Sequence, residues 1–250
     1  MVRSDNQDAL YTGCIKEATA LQPAVYLLMV ADGMGGYHGG DVAAQLALDT
    51  FHRLLSDHTS AWPDTEEFDL WQKLLRELVV KTNARILDAQ RELSYPQMGT
   101  TLTVAVLTGQ FLHMVHVGDS RLYILDGGRI SQVTSDHSYV ADMQRKGLLT
   151  PEEARLHPHR NVMSQALGVE WELAIEARSL HLPVDSTLLI CSDGLSTMVS
   201  DAEIGEVLQL QREPADLVRE LVDRANRFGG LDNITVIVAF FRNQDEVAGS

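Results

Sequence analysis

The sequence predicts an α+β fold in which antiparallel sheets are covered by helices. Two observations carry that reading. Apolar, β-prone runs cluster into hairpins, and helical segments do not alternate with them one by one as they would around a parallel sheet. Glycine-containing turn signals also join neighbouring runs directly, Asp126-Gly127-Gly128 in one place and Thr108-Gly109-Gln110 in another.

Taken in order, strands are expected over residues 9–15, 24–31, 101–107, 111–117, 122–125, 129–133, 173–180, 187–191 and 234–241, where apolar residues alternate or run on. Three helices are expected. In the first, Ala44, Ala47, Leu48, Phe51, Leu54 and Leu55 form one stripe, with Asp41 near the N-terminus. In the second, Trp71, Leu74, Leu75, Leu78, Thr82, Leu87 and Leu93 line one side, and Pro96 ends the helix. In the third, Pro214 opens and Gly229-Gly230 closes a helix with Leu217, Val218, Leu221, Val222, Ala225 and Phe228 inside. These stripes read as core. Residues 138–168 differ: two short helical pieces, then His157, His159 and Arg160, form a polar excursion laid over the core.

The bulk properties bound the function. The chain has 250 residues, 45% of them hydrophobic, a length that suits one large domain over 1–250. Its net charge is −15, from 35 acidic and 20 basic residues. That balance argues against a nucleic-acid binder, which needs a basic face, and against binding to anionic membranes. The longest uncharged apolar stretch is too short to span a bilayer, no signal segment precedes the first motif, and the chain is expected to be cytoplasmic. Cys14 and Cys191 are too few for a disulfide framework, and their apolar, strand-like contexts suit buried thiols.

Chemistry concentrates in four aspartates. Asp32 stands in V-A-D-G-M-G-G, Asp119 in V-G-D-S-R, Asp193 in C-S-D-G-L and Asp232 in G-L-D-N-I-T. Three of them follow apolar strand-like runs. A carboxylate at the end of a buried strand is costly unless its charge is compensated, and several converging carboxylates repel one another or demand a cation. Hard divalent cations with oxygen ligands, Mg²⁺ or Mn²⁺, answer that demand. The glycines after Asp32 let backbone approach a ligand closely. Each aspartate alone reads equally well as a turn residue, so the weight lies on the combination. Asp119 is read as sitting in the turn of a hairpin. The N-terminal Arg3-Ser4-Asp5-Asn6-Gln7-Asp8 adds a guanidinium suited to a phosphoryl group and another acid near a strand start.

Together these motifs resemble the metal-dependent serine/threonine protein phosphatases of the protein phosphatase 2C (PPM) family, in its bacterial branch. The resemblance runs through R-x-x-N-Q-D at Arg3, D-G-M-G-G at Asp32, G-T-T at Gly99, V-G-D-S-R at Val117, T-x-D-H-S at Thr134, A-L-G at Ala166, S-D-G at Ser192 and D-N-I-T at Asp232. It covers nearly the whole chain. It implies a four-layer α/β/β/α sandwich of two antiparallel sheets flanked by helices, with a flap subdomain at about 138–168.

The resemblance also implies a site. Asp32 would bridge two Mn²⁺ or Mg²⁺ ions, with Asp193 and Asp232 completing the shell of the first ion. The carbonyl of Gly33 would bind the second ion, with Asp8 nearby through water. Asp119, with Asp193, would contribute to a third and weaker site, and Arg3 would hold the substrate phosphate. The implied activity is hydrolysis of phosphoserine and phosphothreonine on proteins by a metal-activated water, which makes Asp32 and Arg3 the catalytic residues and requires neither Ser120 nor Ser192 as nucleophile. Implied partners are phosphorylated proteins and a cognate serine/threonine kinase. Met34 stands where animal members carry a histidine proposed as general acid. Two other readings remain open: a pseudophosphatase that binds phosphoproteins without turnover, and a phosphatase dedicated to one bacterial regulator.

Overall fold

The computed structural model describes residues 5–20, 22–34, 36–57, 62–93, 97–160 and 162–242. The elements run β1 (Asp8–Lys16), β2 (Val25–Met34), α1 (Gly36–Asp57), α2 (Phe68–Leu93), β3 (Gly99–Thr100), β4 (Leu102–Thr108), β5 (Phe111–Val117), β6 (Arg121–Asp126) and β7 (Arg129–Gln132). They continue through α3 (Tyr139–Arg145), α4 (Pro151–Leu156), β8 (Glu176–His181), β9 (Ser186–Cys191), α5 (Asp193–Ser196), α6 (Asp201–Leu208), α7 (Pro214–Arg227) and β10 (Val236–Phe241). One sheet has the order β1-β2-β4-β5-β8 with β3 appended to β2, and the other has the order β10-β9-β6-β7. All pairings are antiparallel.

Strand periodicity sorts the core into three layers. Along β2, Leu27, Met29 and Ala31 pack against α1 and α2, whereas Leu28 and Val30 face the second sheet. Along β9, Leu189 and Cys191 face α6 and α7, whereas Leu188 and Ile190 face the first sheet. Side chains two apart share a face. Runs apolar at every position, such as Leu-Leu-Met-Val-Ala in β2, are therefore required of strands covered on both sides. The expected four layers of helix, sheet, sheet and helix are present, with an apolar seam between the sheets.

Most boundaries fall where the pattern places them, and the Gly127-Gly128 turn is confirmed: both residues take positive φ, 51° and 81°, and Asp126 pairs with Arg129. Several expectations need correction. The connection from β5 to β6 is no hairpin, because the two strands belong to different sheets. Residues 118–120 instead carry the chain across the sandwich. Gly118 makes that crossing at φ 115°, with Thr101 Cγ2 only 2.5 Å from where a Cβ would sit. Cys14 is exposed, since β1 is an edge strand overhanging the narrower second sheet, while Cys191 is buried and its thiol is pushed up to about 12 by desolvation. Helix α1 starts at Gly36, which puts Asp41 beyond the first turn. Helix α6 is absent from the expected elements, although Ser200 and Glu203 form a capping box whose S-x-x-E spacing is legible in the sequence. Pro96 lies outside the described residues.

The excursion after β7 folds as α3 and α4 and is tied down at both ends. Ser138 bridges to Met163, and Thr100 bridges to Leu167. Ser138 and Thr150 cap the two helices. Among the described residues, no helix is long and apolar enough to cross a membrane.

Candidate metal centre and active site

The strand parity that sorts the core also places the acids. Ala31 points to the helices, so Asp32, one residue on, turns to the seam between the sheets at the end of β2. Asp8 opens β1 directly opposite Asp32 in the β1–β2 register. Asp193 begins α5 just past the end of β9, and Asp232 lies in the connection entering β10 beside it. Asp119 lies in the crossing from one sheet to the other. Residues far apart in the chain thus meet at one end of the seam.

Backbone contacts hold this end together. The Asp32 N–H donates to Thr101 Oγ1 (2.9 Å), and Thr100 Oγ1 and the Thr101 N–H both donate to the Asp32 carbonyl oxygen, at 3.0 and 2.9 Å. Ser192 Oγ donates to Asp8 Oδ2 (2.8 Å) and accepts from the Thr235 N–H (3.0 Å). Asn233 accepts from the Gln7 N–H through Oδ1 and donates to the Asp5 carbonyl through Nδ2, both at 3.0 Å, which laces the segment before β1 to the one before β10. A Cβ at Gly33 would sit 2.6 Å from the Gln7 carbonyl oxygen and would overlap Gly40, so only glycine allows α1 to pack against the strand end.

The electrostatics follow from crowding. Desolvation raises Asp32 well above the usual carboxylate range, and Asp8, Asp193, Asp119 and Asp232 push it further in the same direction. Asp119 is raised to about 7, mainly by desolvation and then by Asp193 and Asp136, against a lowering by Arg121. Asp8 is also raised by burial and by Asp232, with hydrogen bonds from Thr235 and Ser192 opposing. Among the described residues, the buried Asp8 Oδ1 and Asp119 Oδ1 have no hydrogen-bond partner. Carboxylate oxygens without donors, in a group of acids that raise one another, fit a hard divalent cation as the missing counter-charge. The donor set suits Mn²⁺ or Mg²⁺.

A cavity of about 860 Å³ opens beside Asp119 and Asp193 and extends under the excursion, where Arg145 and Arg160 line it. Of the three polar residues singled out there, Arg160 faces this cavity. His157 and His159 instead pack around Tyr139, with ring centroids 5.5 and 5.7 Å from it. Arg121 also borders the cavity but is committed elsewhere: its guanidinium holds Asp136 through Nε and Nη2 at 2.7–3.1 Å and donates to Tyr123 Oη. Ser192, Thr101, Asn233 and the Arg121–Asp136 pair were not expected to position the site. Each stands inside one of the motifs quoted above, but its positioning contact is made with a partner outside that motif, so the motif alone does not show what it holds. Arg3 lies outside the described residues.

Comparison with known proteins places the chain in a family. The protein phosphatase 2C family model matches residues 3–229. The serine/threonine phosphatase stp of Listeria innocua is 38% identical over 244 residues, covering 95% of this chain and 90% of that protein. The crystal structure of the Mycobacterium tuberculosis serine/threonine phosphatase PstP/Ppp superposes with a TM-score of 0.83 at 36% identity, covering 97% of this chain and 95% of that one. The catalytic domain of PstP in complex with two manganese ions superposes with a TM-score of 0.78 at 35% identity, covering 97% and 94%. The chain belongs to the protein phosphatase 2C family.

Proposed function

We propose that this protein is a metal-dependent serine/threonine phosphatase that hydrolyses phosphoserine and phosphothreonine on proteins. The observation that carries the reading is the convergence of Asp8, Asp32, Asp119, Asp193 and Asp232 with two buried carboxylate oxygens that lack donors among the described residues. A folded scaffold with no metal gains nothing from such crowding. The named relatives support the reaction class, and the two manganese ions in PstP support Mn²⁺ as the working ion.

Asp32 would help hold two ions, the first together with Asp193 and Asp232 and the second together with the Gly33 carbonyl and Asp8. Asp119, with Asp193, would hold a third, weaker one. When bound, the ions supply a nucleophilic hydroxide from water at neutral pH and neutralise phosphoryl oxygens. The chain's own residues fix that geometry. Thr100 and Thr101 lock the Asp32 peptide, and Ser192 holds Asp8 through Oδ2. Met34 has no proton to give, so the departing serine or threonine oxygen takes its proton from water. Arg3 is assigned the substrate phosphate on the strength of the family motif. The cavity beneath the excursion, with Arg145 and Arg160 on its wall, is the proposed path for phosphopeptide.

The test is hydrolysis of a phosphothreonine peptide by EDTA-treated protein, before and after Mn²⁺, alongside Asp193→Ala. Turnover that returns only with Mn²⁺ and is lost by at least about a hundredfold in the variant is expected. Absence of turnover from folded, Mn²⁺-loaded protein would remove the assignment.

A further inference from the structure

A second cluster lies outside the aspartate centre. His116 on β5 and Glu176 on β8 are direct cross-strand partners, so their side chains share one face of the first sheet. His137, just before α3, closes the triangle: each of the three residues offers a ligand atom within 4.8 Å of the other two. His116 is fully buried, His137 is 8% exposed and the Glu176 side chain is 14% exposed.

The hydrogen bonding shows which atoms are committed. Thr103 Oγ1 donates to the Ser120 carbonyl oxygen (3.4 Å) and so accepts from Nδ1–H of His116 (2.9 Å). That tautomer leaves Nε2 as a bare lone pair. Among the described residues, this buried nitrogen has no hydrogen-bond partner. A polar atom in that state costs stability unless something compensates it. His137 is held by its backbone, whose N–H donates to the Gly118 carbonyl (2.7 Å); its Nδ1 accepts a long bond of 3.2 Å from the Gly118 N–H, which would have to open for this imidazole to ligate an ion. Glu176 accepts from the Ser135 N–H through Oε2 (2.7 Å) and from Ser135 Oγ through Oε1 (3.2 Å), and it pairs with the half-exposed Arg178 (2.5 Å), which also donates to Ser135 Oγ (3.3 Å). Burial keeps both imidazoles in the neutral form that a metal requires.

We propose that His116, His137 and Glu176 form a second metal site, separate from the aspartate centre, that takes a borderline divalent transition ion such as Zn²⁺. Two imidazoles and one carboxylate around a fourth, open position is a donor set that zinc favours and that Mg²⁺ and Mn²⁺ do not. The charges acting on His116 are those of His137, Glu176 and Asp136, none of them among the five clustered aspartates. The ion would join β5 and β8 to the foot of the excursion, because the His137 carbonyl also accepts from the Ser164 N–H at the excursion's far end (2.8 Å). Arg178 would be displaced from Glu176 as the cation enters.

The test uses the full chain carrying Asp32→Asn, which weakens the carboxylate centre and leaves this cluster intact. The metal-free protein is given one equivalent of Zn²⁺, passed over a chelator of micromolar affinity and analysed for zinc content and X-ray absorption. One retained zinc with two imidazole nitrogens at about 2.0 Å is expected, and His137→Gln and Glu176→Gln in the same background should each bind it at least about tenfold less tightly. Loss of zinc to the chelator, an all-oxygen shell, or equal retention in the substituted proteins would overturn the assignment. The absorption spectrum decides the matter on the unsubstituted cluster if either substitution impairs folding.

Discussion

Replacing Asp119 by asparagine should stabilise the metal-free protein, and the effect should depend on pH in a defined direction. In the folded chain Asp119 is raised to about 7 from the ordinary 3.8, first by desolvation and then by Asp193. Between those values the folded state keeps a proton that the unfolded state has lost. Stability therefore falls as pH rises from about 3.8 to about 7, and this group adds no further change above that. Each tenfold difference in proton affinity corresponds to about 1.4 kcal/mol, so a gap of about three powers of ten gives about 4 kcal/mol, reduced to about 2–4 kcal/mol by the partial exposure of Asp119. An asparagine at this position would carry no charge to desolvate. Urea unfolding in EDTA should therefore show Asp119→Asn more stable by about 2–4 kcal/mol at about pH 8 and by about 1 kcal/mol or less at about pH 4.5. Saturating Mn²⁺ should shrink or reverse the advantage, because the native carboxylate then gains its counter-charge. Equal stability of the two proteins at the higher pH in EDTA, or an advantage unchanged between the two pH values, would refute the account of the site as a set of acids held against mutual repulsion.

Other substitutions probe the supporting contacts. Ser192→Ala removes the donor to Asp8 Oδ2 and leaves the buried Thr235 N–H without its acceptor; a loss of about 2–4 kcal/mol in urea unfolding and about tenfold weaker Mn²⁺ binding by calorimetry are expected. Gly194→Ala drives a Cβ into the Asn233 carbonyl, with the carbonyl carbon 2.9 Å away; this should displace the Asp232 segment and show as a fall in kcat of at least about tenfold. Arg121→Lys gives up the two-pronged contact with Asp136; about 1–2 kcal/mol of stability should disappear, and a thermal midpoint equal to the parent's would show that the fork contributes nothing.

Much of the architecture was legible because its signals are local. The stripe from Leu217 to Phe228 marks α7 without reference to anything outside the helix: Leu217, Leu221 and Ala225 are buried and Val218 and Val222 half-buried, whereas Phe228, at the C-terminal cap, is exposed. Asp126-Gly127-Gly128 marks a hairpin because two adjacent positive φ angles suit glycine. Where local signals mislead, a neighbour in space is responsible. Gly118-Asp119-Ser120 has the composition of a hairpin turn, but β6 finds its partner in β9 rather than in β5. Cys14 sits in an alternating strand, yet that strand lies at an edge where one face meets solvent.

The same division governs the site. The sequence by itself determined that carboxylates end several strands and that glycines follow them, since strand endings and turn chemistry are read over a few residues. It determined, through an ordered set of motifs, the family to which the chain belongs. Only the tertiary structure decided that Asp8 lies opposite Asp32, that Ser192 holds Asp8 across 184 positions of chain, and that His116, His137 and Glu176 form a cluster of their own. Those juxtapositions depend on sheet register and on which strands cross between sheets. Both are set by the summed packing of three apolar layers, in which a one-residue slip would turn Asp32 from the seam to the helices.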